Sequence, residues 1–279
     1  MMEVQEKLQN LFKLLDDDSP EIQKILRQQL LENALEVIFN QFQYIELVDE
    51  VCITRFEGVL NEIHINLVLE GFQQIKENSL EDIDLEKCML LMSYWNDNNV
   101  NILKTIQELD NLADEISIGM PKKGHPLGFI DHINYYLFKE FGYQGESQDY
   151  YNPENYYLHH LLETKKGIPI TLSIFYMLIS KRLGIPVYGV SLPEHFLLKF
   201  FNEDDEIFFD PFYGGKIYSK ENCMSVGGSS NFQDVDRVLM DCTNLEIFTQ
   251  VLKNLYQIYA SQENVQKRDQ IKEILAVIK

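Results

Sequence analysis

The chain is short of basic residues, short of cysteine and without a long apolar run. Against 44 Asp and Glu it carries only 24 Lys and Arg, a formal net charge of -20 over 279 residues. A surface of that sign repels phosphate backbones and anionic lipid heads, which argues against nucleic-acid or membrane-surface binding as the main task. The four cysteines, Cys52, Cys88, Cys223 and Cys242, form no CxxC pair, and no histidine stands at ligand spacing from them. They are too sparse for a disulfide framework, so free thiols in a reducing compartment are expected, with no metal site and no cofactor. No apolar run approaches the ~20 residues that cross a bilayer. Residues 1–20 lack the basic patch and apolar stretch of a signal peptide. A cytoplasmic protein is the expectation. There is no internal repeat and no low-complexity tract.

What is present fits a folded core: 45% hydrophobic and 12% aromatic residues, in a chain long enough for one large domain or two small ones. The first half reads as helices. Ser19-Pro20 is a helix start, a capping hydroxyl followed by a proline where no amide hydrogen bond is lost. Ile22, Ile25, Leu26, Leu30 and Ala34 then recur at helical spacing. Residues 84–95 and 100–116 are two further helices, whereas 42–60 is ambiguous. Residues 119–128, with Pro121, Gly124 and Pro126, read as a linker. Helices follow over 129–141, 155–164 and 167–183, the last stopped by Gly184-Ile185-Pro186. Then the pattern changes to short β-branched or aromatic runs at 187–192, 196–201 and 207–210. Gly227-Gly228-Ser229-Ser230 reads as a flexible loop, and 244–279 as two helices.

A hairpin about the polar turn 202–205 places His195 and Asp210 on one face in either of the two registers that the turn allows, because strand side chains alternate with period two. A carboxylate beside an imidazole fixes its tautomer, which is the orienting half of a nucleophile–His–Asp triad. It is equally a stitch that holds a hairpin together. The nucleophile would belong at the start of the helix opening at Gly167-Ile168-Pro169-Ile170-Thr171-Leu172-Ser173, where helix-end amides favour an anion. That segment offers Thr171 and Ser173 and no cysteine. Capping is the simpler role for both hydroxyls. Tyr150, Tyr151, Tyr156 and Tyr157 are expected in the core, with the lining of a groove as the alternative. Cys223 lies after the core and is not expected beside His195.

Four stretches carry a family resemblance: Gly-Ile-Pro-Ile-Thr-Leu-Ser (167–173), Arg-Leu-Gly-Ile-Pro-Val-Tyr-Gly-Val (182–190), His-Phe-Leu-Leu (195–198) and Asp-Pro-Phe-Tyr-Gly-Gly (210–215). Together they resemble the SirB1 family, a branch of the transglutaminase-like superfamily with a papain-like core. The stretch Asp149-Tyr-Tyr-Asn-Pro-Glu-Asn155 resembles that family's pattern before the core. Residues 241–259 resemble the start of its helical, TPR-like tail. The likeness is strong over 129–215 and weaker over 85–116. It implies an α+β fold: a helical N-terminal region (1–118), a linker (119–128), a transglutaminase-like core (129–242) with a central helix on a small antiparallel sheet, and a helical tail (243–279). It implies that His195 and Asp210 stand at the His and Asp positions, and that the Cys position falls near Pro169–Thr171, which this branch commonly leaves without cysteine. Glu194 stands where a small residue is expected, and its carboxylate is a second candidate partner for His195. The implied function is a non-catalytic regulatory protein that binds a peptide or protein in the former active-site groove, with Pro169, Glu194, Tyr151 and Asn155 as binding residues. The alternative is a hydrolase or acyltransferase using Thr171 or Ser173 with His195 and Asp210.

Overall fold

The computed structural model describes residues 19–45, 50–121, 123–193, 195–226 and 235–279. Residues 1–18, Glu194 and the loop at 227–230, all read above from the sequence, lie outside these. The chain divides into two compact units, residues 1–104 with 272–279, and residues 105–271. The division falls at a different place from the 1–118 and 119–128 boundaries read from composition. It cuts the helix Ile102–Ser117, whose regular apolar spacing carries no mark of a boundary.

The first unit is helical. Helices α1 (Pro20–Glu32), α2 (Ala34–Ile45), α3 (Glu50–Glu77) and α4 (Leu85–Asn96) follow one another. Ser19 caps α1 by accepting from the Ile22 amide, as its sequence signature predicts. Asp84 caps α4 in the same way through the Lys87 amide. Of the stretch ambiguous in sequence, residues 42–45 supply the end of α2 and residues 50–60 the first turns of α3. Leu26, Leu30, Leu67, Phe72 and Leu91 are buried, and α4 is buried on every side from Cys88 to Trp95.

The second unit is α+β. After α5 (Ile102–Ser117), helix α6 starts at Pro126, with His125 as its cap, inside the stretch read as a linker. It continues as a wider π-helical turn over Tyr135–Glu140. A two-residue parallel pair joins β1 (Gln144–Gly145) to β2 (Lys166–Gly167). Between them, the helix expected over 155–164 is two pieces: a 3-10 turn Pro153–Tyr156 and α7 (Leu158–Thr164). Tyr157 separates them in extended backbone.

Helix α8 (Pro169–Arg182) is the central helix, buried from Pro169 to Tyr176 and again at Leu178, Ile179 and Ser180. It ends as its sequence requires. Gly184 takes φ +70°, and the Gly184 and Ile185 amides bond back to the Lys181 and Ser180 carbonyls. The chain then enters a four-stranded antiparallel sheet in the order β3 (Val187–Leu192), β4 (His195–Phe201), β5 (Glu206–Asp210) and β6 (Lys216–Tyr218). Helix α8 lies against β3 and β4, and Tyr176 meets Phe209 of β5 with ring centroids 5.0 Å apart. On the other face, Val190, Leu192, Leu197 and Phe208 pack with Cys223 of α9 (Lys220–Val226) and with Leu239, just past α10 (Val235–Val238). Helices α11 (Asn244–Ser261) and α12 (Val265–Ile278) complete the chain. Among the described residues no helix is long and apolar enough to cross a membrane.

Two fully buried tyrosines set an alkaline limit on this unit. Burial holds the hydroxyls of Tyr157 and Tyr176 well above the ordinary value of 10.0. A raised acid contributes stability that is complete below pH 10 and is lost as the unfolded chain begins to release its protons above it. The cost is about 1.4 kcal/mol per tyrosine for each pH unit past that point. Far-ultraviolet circular dichroism should therefore show cooperative unfolding above pH 10, coincident with a late step in tyrosinate absorbance near 295 nm.

Candidate functional site

The site begins with a turn. The hairpin about residues 202–205 pairs Leu198 with Phe209 and Phe200 with Ile207. That is one of the two registers allowed by the sequence, and it sets His195 diagonal to Asp210 on the same face. The Asn202 side chain accepts from the amides of Asp204 and Asp205 at 2.9 and 2.7 Å, which holds the turn. Asp210 then ends β5 and starts a 3-10 turn over Pro211–Tyr213. Its carboxylate has zero exposure, so it must be paired. One oxygen accepts from the Phe212 amide at 2.9 Å, and the other meets His195 Nε2 at 2.6 Å. The carboxylate accepts from Nε2, which fixes the tautomer of the uncharged ring with its lone pair on Nδ1. The rings of Phe212 and Tyr213 flank it, with centroids 6.3 and 6.1 Å away. Gly215 closes the turn at φ +78°, where any Cβ would strike the Asn134 side chain that donates to its carbonyl.

The start of α8 supplies no partner for that base. Its cap residue is Ile168, without a side-chain cap bond, and Pro169 follows at the first helical position. Thr171 and Ser173 do not cap, which corrects the expectation for them. Both have zero exposure, and neither hydroxyl makes a hydrogen bond to the described residues. They sit in the first and second turns of the helix, beside the buried apolar residues Ile170, Leu172 and Ile174. Cys223 is fully buried, and burial pushes its thiol up to about 12. A thiol so placed is a core side chain, not a nucleophile.

A cleft of about 490 Å³ opens beside the pair. His195 lines it with Pro193 and Phe196, and Ile168, Pro169 and Ile170 bring in the start of α8. Tyr150, Tyr151 and Tyr156 form one wall; Tyr156 and Tyr157 are buried in the core as expected, whereas Tyr151 is exposed. The opposite wall is one face of α11: Gln250, Asn254, Gln257, Ile258 and Ser261. Thr171 and Ser173 do not line the cleft. Asn155 is buried, with its amide group donating to the Asp149 carbonyl at 2.6 Å, so it holds the 149–155 turn and does not face a ligand. Pro169 and Tyr151 do reach the cleft. The two walls are tied at depth. The Tyr157 and Tyr259 hydroxyls bond at 2.9 Å in buried surroundings, and the Asn254 side chain lies near the Tyr156 hydroxyl. Sequence reasoning missed the α11 wall, although its signal was present: polar residues at positions 250, 254, 257 and 261, with Ile247, Val251 and Leu255 buried on other faces of the same helix.

A central helix whose first turn meets a strand-borne His–Asp pair across a cleft is the layout of a papain-like acyl-transfer core, present here without a thiol at the helix start. The chain belongs to the transglutaminase-like superfamily, whose family model matches residues 104–253. It is 34% identical to a UPF0162 protein of Xylella fastidiosa strain 9a5c over 202 residues, 66% of this chain and 69% of that protein. A UPF0162 protein of strain Temecula1 is also 34% identical, over 47% of this chain and 49% of its own length, so the chain spans about half of that relative. Human F-box only protein 21 is 35% identical over 102 residues, 34% of this chain and 16% of that protein. No solved structure matches the chain.

The Asp210 carboxylate should be a large stabilising element whatever the cleft does. Asp210→Ala orphans the Phe212 amide and His195 Nε2, at about 1–3 kcal/mol for each buried donor left unpaired. Asp210→Asn keeps an oxygen for one donor only and should lose less than the alanine variant. Urea unfolding midpoints of the three proteins measure the order.

Proposed function

We propose that this chain is a SirB1-type member of the superfamily, a cytoplasmic regulatory protein that binds a peptide or protein in the cleft without forming a covalent bond to it. One observation carries the reading: where the cleft brings the start of α8 to His195, that helix presents Ile168, Pro169 and Ile170, which have no nucleophilic atom. The field of the helix end and an oriented imidazole are both in place, but a base with nothing to deprotonate starts no acyl transfer. The volume falls in the range of ordinary ligand clefts, and the mixture of tyrosine, proline and amide side chains suits polypeptide better than a small ion. Binding at this place reuses the geometry that positions a substrate acyl group in enzymes of this layout.

Activity-based labelling tests the absence of covalent chemistry. The native protein is treated with a fluorophosphonate probe for hydroxyls and an iodoacetamide probe for thiols, beside His195→Ala, with circular dichroism confirming that the variant is folded. No labelling should depend on His195. Modification of any residue, Thr171 and Ser173 included, that disappears in His195→Ala would restore the hydrolase or acyltransferase reading.

A further inference from the structure

The α11 wall of the cleft is more specific than a polar surface. Gln250, Asn254, Gln257 and Ser261 follow one another at steps of four, three and four residues, so they stand in a row along one helix face. At ~1.5 Å rise per residue the row is about 16 Å long, with steps near 4.5–6 Å. An extended chain advances about 6.6 Å for every two residues and turns the same backbone edge to a neighbour with each repeat. Carboxamides are the side chains that satisfy both a backbone N–H and a backbone C=O. Their capacity here is only partly used. The Gln250 oxygen accepts from the Ser191 hydroxyl at 2.9 Å, leaving both of its N–H groups. Gln257 has no side-chain hydrogen bond to the described residues. Charge points the same way. In a protein of net charge -20, the described residues that line the cleft include no Asp, Glu, Lys or Arg, so none of them offsets the desolvation of an ionised side chain.

We infer that the cleft takes an uncharged segment of about five residues of a partner protein in extended form, its backbone held along one edge by the carboxamide row of α11 and its side chains seated against Tyr150, Tyr151 and Pro169. This rests on the peptide-binding reading above and deepens it. The partner is recognised by backbone geometry first and by apolar or aromatic side chains second, so related sequences bind as long as they are extended and neutral.

Capped, N-acetylated and C-amidated hexapeptides of uncharged residues are arrayed beside copies with two Glu or two Lys, and beside copies N-methylated at alternate amides in each of the two phases. Bound sequences are then titrated by calorimetry against the native protein, Gln250→Leu and Gln257→Ala, with maltohexaose as a probe for a sugar-binding cleft. Gln257 is exposed, so its replacement leaves the helix intact. Neutral hexapeptides should bind, both charged series should bind at least tenfold more weakly, and one N-methylation phase should abolish binding while the other is tolerated. Each carboxamide variant should weaken binding roughly three- to tenfold, the loss that one hydrogen bond of ordinary strength carries. If neutral peptides bind but neither N-methylation nor the two variants matter, the carboxamide row is not the reader and this inference falls, while the peptide-binding function stands. If no hexapeptide binds, or only maltohexaose does, both fall. If a peptide becomes covalently attached, the non-covalent function falls and the backbone reading survives.

Discussion

A buried carboxylate with two donors organises the second unit of this protein. Asp210 ends β5, caps the turn that follows it and receives the imidazole of His195 from the neighbouring strand. None of these roles is separable from the others. A carboxylate with zero exposure is tolerated only while its oxygens are occupied, so the register of the hairpin, the shape of the 211–215 turn and the orientation of His195 are held by one group. Gly215 and Asn134 then fix the far side of the turn against α6. The stitch and the catalytic remnant, two readings of the pair that compete in sequence, are one arrangement in three dimensions. The interaction that orients the imidazole is the same one that closes the hairpin.

The start of α8 shows the complementary half. Backbone amides at a helix start attract negative charge whatever side chains are present, so the fold supplies an electropositive point beside His195 by construction. Pro169 removes one amide donor from that point, and apolar neighbours on both sides leave no ionisable group to use the rest. The hydroxyls of Thr171 and Ser173 are carried past the cleft into the interior by the helical rotation. An oriented imidazole, a polarised helix end and a cleft thus stand together, and the helix start that meets them carries no cysteine.

How much of this could be read from the chain depended on the distance over which each interaction acts. The neighbourhood of His195 and Asp210 was legible because it is local. A four-residue turn allows two registers, and both put the residues on one face. The end of α8 was legible for the same reason, since Gly184 and Pro186 act on their own backbone. Thr171 and Ser173 were misread because a hydroxyl after a proline signals a cap only when it precedes the helix, and here Ile168 takes that position. Tyr156 and Tyr157 are buried as expected and Tyr150 and Tyr151 are not, because burial along 150–157 follows neither a helical nor a strand period: the segment is a turn, a short 3-10 piece and one extended residue. The second wall of the cleft was illegible altogether as a wall. The polar face of α11 could be seen as a face, but what it looks toward lies about a hundred residues earlier, and single-sequence periodicity contains no term for that pairing.

That distant pairing is also what gives the cleft its second wall. The amphipathic helix α11 buries Ile247, Phe248, Val251, Leu252 and Leu255 and turns its amides outward. The hydroxyl pair of Tyr157 and Tyr259 ties it at depth to the segment that carries Tyr150, Tyr151 and Tyr156. A buried hydroxyl pair left half-made is costly, so the walls are not free to drift apart or to close on one another. Pre-formed walls lower the ordering cost that any extended ligand must overcome on binding. The cleft belongs to a strongly acidic molecule, and its described lining carries no Asp, Glu, Lys or Arg. On the proposed reading the surrounding negative charge would select against anionic segments at long range, before any single side chain is read.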